Sequence, residues 1–217
     1  MSDEQDHYFT ARPASAAERR TLAVRLAGRD VEVEVASGVF SPGRLDLGTQ
    51  VLLRTVPPLD EALAAAGRTD AHVLDLGCGW GPVALTMALE APGATVWAVD
   101  VNERALDLVR RNAERLGLDG VRAVTPDEVP DDVALAALWS NPPIRVGKDV
   151  LHAMLLRWLP RLAPGASAHL VVQRNLGADS LQRWLVEHLA GPVPGVRVER
   201  AASAKGFRVL EVVVPGA

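Results

Sequence analysis

The run Val73-Leu74-Asp75-Leu76-Gly77-Cys78-Gly79-Trp80-Gly81-Pro82 decides the fold. Its apolar start reads as a strand and its three glycines as a tight turn. Pro82 opens a helix, at a position whose N–H has no partner in any case. A strand that hands over to a helix through a glycine turn is the opening unit of a parallel α/β sheet. Such sheets bind ligands beyond the carboxyl ends of their strands. The spacing favours a nucleoside over a dinucleotide. A dinucleotide loop, G-x-G-x-x-G, requires glycine at position 82, and a pyrophosphate requires free helix N–H groups there. Asp75 would repel a phosphate and suits an α-ammonium group, directly or through water.

Strands and helices alternate outward from this run. Downstream, residues 82–90 read as a helix, 95–99 as a second strand and 102–116 as a helix capped by Asn102 and closed by Gly117. A third and a fourth strand follow at 121–124 and 135–139. Residues 150–162 read as a helix ended by Pro164-Gly165, 168–172 as a fifth strand and 180–189 as a helix. The closing strands are 196–199 and 207–214. Upstream, Leu22, Val24 and Leu26, then Val31, Val33 and Val35, alternate on either side of a turn at Ala27-Gly28-Arg29-Asp30, the pattern of a β-hairpin. Thr49 is the expected N-cap of a short helix ended by Pro57-Pro58, and residues 59–66 form an Ala-rich helix stopped by Gly67.

The expected fold class is α/β, a mostly parallel sheet with helices on both faces. No helix separates the last two strands, so they form a C-terminal antiparallel hairpin. The chain divides into residues 1–56, an arm with the β-hairpin and a cap segment, and residues 57–217, the ligand-binding domain.

Three acids lie where such a sheet would present them. Asp100 ends the second strand, where a carboxylate accepts both hydroxyls of a ribose, each bond to a charged group worth roughly 1.5–3 kcal/mol. Asp75 and Asp100 stand 25 positions apart, the length of one strand–helix–strand unit. Asp127, after the third strand, is placed to meet an adenine amine, although Thr125-Pro126-Asp127 is also an ordinary turn.

Ser140-Asn141-Pro142-Pro143 follows the fourth strand at the same sheet edge. An exocyclic amine or carboxamide has its lone pair delocalised into a π-system. Two acceptors, the Asn141 side-chain oxygen and the Pro142 carbonyl, hold its two N–H groups and favour pyramidalisation, while Pro142 and Pro143 stiffen the geometry. A nitrogen aimed in this way is set up for group transfer, in which such positioning supplies most of the acceleration.

The bulk composition fits. The 217 residues are 48% hydrophobic but only 4% aromatic, so Ala, Val and Leu build the core. Cys78 is the single cysteine, which excludes an intrachain disulfide and suits the cytoplasm. No apolar signal core or membrane span is expected. Residues 1–140 hold 13 Lys+Arg against 22 Asp+Glu, and residues 141–217 hold 10 against 5, so the basic third follows the amine motif. Only two basic residues are lysine, Lys148 and Lys205, each beside a glycine. His152, His169 and His188 lack metal-ligand spacing, and no metal is expected. Trp139, Trp158 and Trp184 read as core fillers.

Residues 75–143 resemble the N-methyltransferase group of class I S-adenosylmethionine-dependent methyltransferases. The fuller pattern is similar to the methyltransferase small domain of ribosomal small-subunit RNA guanine-N2 methyltransferases. It runs through His7-Tyr8-Phe9, Phe40-Ser41, Leu45-Asp46-Leu47-Gly48-Thr49, the glycine loop, Asp100-Val101-Asn102-Glu103-Arg104-Ala105, Asn141 to Lys148, Gln173-Arg174 and Lys205-Gly206-Phe207. The resemblance implies a seven-stranded sheet in the order 3-2-1-4-5-7-6, S-adenosylmethionine as donor, and guanine N2 in ribosomal RNA or the small ribosomal subunit as target. The cofactor would lie on Asp75, Gly77, Cys78, Gly79 and Gly81, then Asp100, Val101, Asn102 and Asp127, with Asn141 beside the methyl group. Ile144, Arg145 and Lys148, Gln173 and Arg174, and Lys205 and Phe207 would face the substrate.

Two departures stand out. Well-described members carry an extra N-terminal domain, and this chain is expected to hold only the catalytic part and its hairpin. Many relatives place an aromatic after Asn-Pro-Pro to stack on the base, and here it is Ile144, with Tyr8, Phe9 and Phe207 as candidate substitutes. A protein glutamine methyltransferase, a small-molecule N-methyltransferase and a catalytically silent cofactor-binding module are the alternatives. Ile144 and the hairpin speak against the first, and the intact Asn141-Pro142-Pro143 against the last.

Overall fold

The N-terminal hairpin forms because alternating Val and Leu meet a turn built for it. Strands β1 (Arg19–Leu26) and β2 (Arg29–Ala36) are joined by two residues, Ala27 and Gly28, both with positive φ. That turn matches the twist of the flanking strands, so pairing runs up to Leu26 and Arg29, tighter than the expected four-residue turn. The structure, a computed structural model, describes residues 18–65, 67–68 and 70–216, apart from the side chains of Ala65 and Arg145. The expected roles of Tyr8 and Phe9, and the motif His7-Tyr8-Phe9, lie outside the described residues.

The helices α1 (Leu47–Thr55) and α2 (Leu59–Ala65) lead into an alternation of strand and helix. It comprises β3 (His72–Leu76), α3 (Pro82–Glu90), β4 (Thr95–Val99), α4 (Glu103–Leu116), β5 (Val121–Val124) and β6 (Leu135–Ser140). Then come α5 (Lys148–Trp158), β7 (Leu162–Gln173), α6 (Ala178–Leu189), β8 (Arg197–Ala204) and β9 (Phe207–Val213). The seven-stranded sheet runs β5-β4-β3-β6-β7-β9-β8. Counted from β3, this is 3-2-1-4-5-7-6, the order that the resemblance implied. Pairs from β5 to β7 are parallel, and β9 is antiparallel to both neighbours. The order reverses between β3 and β6, and a crevice opens at their carboxyl ends, where Gly77 and Asn141 begin.

Three differences from the sequence reading have local causes. α1 is capped by Asp46, whose carboxylate accepts from the backbone N–H groups of Gly48 and Thr49, so Thr49 lies inside the helix. α5 ends at Trp158 because Pro160 lacks the N–H that another α-turn needs; a single 3₁₀ turn, Leu159–Arg161, follows, and Pro164 and Gly165 belong to β7. Trp184 is only partly buried and lies stacked between His152 and His188, with centroids at 3.7 and 4.5 Å.

The hairpin is locked to the sheet domain. Val33, Val35 and Leu26 pack with Trp80, Leu85 and Leu108 of the loop, α3 and α4. Asn112 of α4, wholly buried, accepts from the N–H of Glu34 (2.6 Å) and donates to its carbonyl (3.0 Å) and to that of Trp80 (3.2 Å). A side-chain amide thereby takes the place of a neighbouring strand on β2 and ties it to the glycine loop. Among the described residues, no helix is long and apolar enough to cross a membrane.

Candidate active site

The glycine loop is lashed to the end of β4. Gly77 and Cys78 both donate to the carbonyl of Val99 (2.8 and 3.0 Å), and Gly81 donates back to Cys78 (2.9 Å). Gly81 has φ 93°, and a Cβ there would stand 2.9 Å from Val109 of α4, so only glycine lets α3 approach α4 this closely. Asp100, at the end of β4, aims its two oxygens apart. One accepts from Gly79 of the loop (3.0 Å) and the other from Asn102 (2.9 Å). Each oxygen keeps a lone pair, which suits a vicinal diol. Burial raises its pKa, partly offset by the backbone N–H groups of Asn102, Gly79 and Val101.

Asp75 has a structural duty as well. Gly81, the N-cap of α3, has no side chain to offer, and the Asp75 carboxyl instead accepts from Ala84 in the first turn (2.9 Å). It is 1% exposed, and burial, with a smaller push from Asp100, drives its pKa up to about 8. The folded protein therefore keeps a proton that the unfolded chain releases near the model-peptide value of about 3.9. Native stability falls as pH rises between these values and levels off above the higher one, by about 1.4 kcal/mol per pH unit at most. Asp75→Asn keeps an acceptor for Ala84 and removes the titration. Its melting temperature, measured against wild type, is expected to gain steadily from pH 5 to pH 8; parallel curves would refute this.

Cys78 is buried, and desolvation together with Asp100 and Asp75 pushes its thiol well above the ordinary range, so it packs rather than reacts.

Asn141 follows β6, whose last residue, Ser140, is fixed by a buried bond from its hydroxyl to the Leu76 carbonyl (2.6 Å). The Asn141 amide nitrogen donates to Asp46 (2.9 Å) and to the Thr49 hydroxyl (3.1 Å). A carboxylate only accepts, so the amide nitrogen must face α1 and its oxygen stays free to accept. The Pro142 carbonyl takes one bond from Ile144 (2.8 Å), which leaves one lone pair. A cleft of about 360 Å³, open to solvent, brings together Asp75, Gly77, Gly79 and Asn141 with Phe40 and Asp46.

Other expected residues are placed differently. Val101 is half exposed beside Asp100. The Asn102 side chain caps α4 and donates to the Gly38 carbonyl, so it holds the hairpin's exit loop against the start of α4. Asp127 is exposed and paired with Arg157 (2.8 Å). Ile144 packs against the main core. The ring of Phe207 is also taken up in packing, since a Cβ on Gly48 would lie 3.0 Å from it. Lys148, Gln173, Arg174 and Lys205 are exposed, and Arg174 and Lys205 are neighbours because the Arg174 N–H donates to the Gly206 carbonyl (2.8 Å). The side chain of Arg145 lies outside the described atoms. Asp46, Thr49 and Phe40 are site residues that periodicity and spacing missed; their one signal was membership of the motifs that carry the resemblance. Among the described residues, no three His, Cys, Asp or Glu side chains cluster as a metal site.

The family described as Methyltransferase small domain matches residues 30–211. An uncharacterised Bacillus subtilis protein, YbxB, is 33% identical over 185 residues, which cover 84% of this chain and 88% of the relative. Ribosomal RNA small subunit methyltransferase C of Hahella chejuensis is 36% identical over 167 residues, 72% of this chain but 43% of the relative. Among solved structures, the T. thermophilus 16S rRNA N2 G1207 methyltransferase (RsmC) in complex with AdoMet and guanosine aligns with TM-score 0.72 and 25% identity, over 94% of this chain and 52% of that one. The chain thus spans most of the Bacillus relative and about half the length of the ribosomal RNA methyltransferases. A glycine loop tied to Asp100, an Asn-Pro-Pro segment facing it across one cleft, and a family match over most of the chain agree: the protein belongs to the methyltransferase small domain family and is an S-adenosylmethionine-dependent methyltransferase.

Proposed function

We propose that the protein methylates the exocyclic N2 amine of a guanine in the RNA of the small ribosomal subunit, and that it does so in the cytoplasm. The observation that carries this reading is the orientation of Asn141. Both of its N–H bonds are spent on Asp46 and Thr49, so its oxygen is a fixed, free acceptor in the same cleft as the glycine loop. The guanosine in the aligned RsmC complex, and the names of the ribosomal RNA methyltransferase relatives, support guanine as the ring that bears the amine.

S-adenosylmethionine supplies an electrophilic methyl group when bound. Asp100 would hold the ribose hydroxyls, Gly77 and Gly79 would admit the ligand against bare backbone, and half-exposed Val101 would offer it an apolar contact. Asp75, protonated in the free protein, would accept from the α-ammonium group with the oxygen that Ala84 leaves free, and that positive charge would favour its ionised form. Asn141 and the remaining lone pair of Pro142 take the two N–H groups of the target amine and aim its nitrogen. Most of the acceleration comes from that alignment. Lys148, Arg174 and Lys205, all exposed, offer charge to RNA phosphates.

The test is methyl transfer from radiolabelled S-adenosylmethionine to small subunits and naked ribosomal RNA from a strain lacking this protein, alongside a protein extract. Label in RNA that digests to N2-methylguanosine is the expected result. Label confined to protein would overturn it in favour of a glutamine carboxamide, which fits the same acceptors.

A further inference from the structure

We infer that Phe40 supplies the aromatic face on which the target base stacks, the part that Ile144 cannot play. This assignment rests on the guanine reading above and names a residue that acts within it. The Phe40 ring is 52% exposed, yet it lines the cleft shared by Gly77, Gly79 and Asn141. Its loop is anchored on both sides. The carbonyls of Ser37 and Gly38 accept from Arg104 and Asn102 at the start of α4 (2.8 and 3.1 Å). Val39 is buried against the loop, the Ser41 hydroxyl closes a turn onto the Arg44 carbonyl (2.8 Å), and Asp46 caps α1. A ring left in water at the tip of so constrained a segment gives up the gain that burial would bring, and a partner at the cleft recovers it.

The other aromatics of the described residues are committed elsewhere. Trp80 is 2% exposed beneath the loop, Trp139 and Trp158 are in the core, Trp97 lies on His72, Trp184 stacks between two histidines, and Phe207 packs on Gly48. Ile144 is directed into the core. A planar base held by Asn141 needs a flat apolar face beside it, and every base has a π-face that Phe can meet. Phe40 is anchored next to Asp46, whose carboxylate also holds Asn141, so one short segment positions both the stacking ring and the acceptor.

The test compares wild type with Phe40→Ala, Phe40→Leu and Phe40→Tyr. Small-subunit RNA from the lacking strain is the methyl acceptor, and cofactor affinity is measured separately by calorimetry with S-adenosylhomocysteine. Phe40→Ala is expected to raise KM for RNA roughly 5- to 150-fold. Phe40→Leu, apolar without a π-face, is expected to stay impaired, and Phe40→Tyr to stay near wild type, with cofactor affinity unchanged throughout. Wild-type labelling of RNA that survives undiminished in Phe40→Leu overturns the assignment and leaves the guanine reading standing. A weakened cofactor affinity in Phe40→Ala also overturns it, because the ring then covers the cofactor. Wild-type label that never enters RNA overturns both.

Discussion

Asn141→Ala is expected to lower kcat by about 10²- to 10³-fold, the usual loss when one preorganised polar partner of a developing charge is removed. As the amine attacks, positive charge grows on its nitrogen and its N–H groups become stronger donors. An acceptor held in place before the reaction needs no reorganisation at that moment. Asn141 is held in this way, by Asp46 at 2.9 Å and Thr49 at 3.1 Å from its amide nitrogen. The Pro142 carbonyl cannot replace it, because one of its lone pairs already serves Ile144. Binding of S-adenosylhomocysteine should change far less than kcat, since the loop and Asp100 are untouched. Asn141→Asp is the informative companion. It keeps an oxygen toward the substrate but sets a carboxyl where the amide met the Asp46 carboxylate, and two carboxyl groups at that distance cannot both ionise. Its activity should fall with the alanine variant's rather than recover. Single-turnover rates with saturating cofactor measure both. An Asn141→Ala rate within a fewfold of wild type would remove Asn141 from the chemistry.

Where the determinants are local, the sequence is readable. Strands β3 to β6, helices α3 and α4 and the Asn102 cap follow from apolar period, glycine turns and capping residues, and the structure has them within a residue or two; both hairpins are present as well, but β1 begins at Arg19 and β8 runs on to Ala204, beyond the bounds that apolar alternation marks. The strand order is different in kind: alternation predicts a parallel sheet but not which strand lies beside which, and that came from the resemblance. The Asn141–Asp46 bond joins residues 95 positions apart and exists because the N-terminus of α1 faces the end of β6. No period or spacing encodes such a contact. Asp127 shows the converse dependence. Its position after the third strand suits an adenine contact, and only the fold reveals that Arg157, 30 positions away on α5, pairs with its exposed carboxylate. A charged side chain takes whichever partner the tertiary fold brings near.

Asp100→Ala is expected to weaken S-adenosylhomocysteine binding by about 10²- to 10⁴-fold, from the loss of hydrogen bonds to a charged group at about 1.5–3 kcal/mol for each ribose hydroxyl. Stability responds through two opposing effects. The substitution strands the N–H groups of Gly79 and Asn102, which now donate to the carboxylate at 3.0 and 2.9 Å. It also removes a carboxylate whose pKa burial has raised, and so relieves a desolvation cost. The melting temperature of the ligand-free variant should therefore move much less than the affinity. Asp100→Asn separates charge from geometry: it retains one acceptor oxygen and loses the charge, so its affinity should lie between wild type and alanine. The two alanine variants then cross. Asp100→Ala binds cofactor poorly but should regain much of its kcat as cofactor approaches saturation, because the aligned amine and its Asn141 acceptor are intact. Asn141→Ala binds cofactor well and stays slow at any concentration. Calorimetry with S-adenosylhomocysteine and rates over a cofactor series distinguish them, and an Asp100→Ala affinity within threefold of wild type would exclude the carboxylate as the ribose contact.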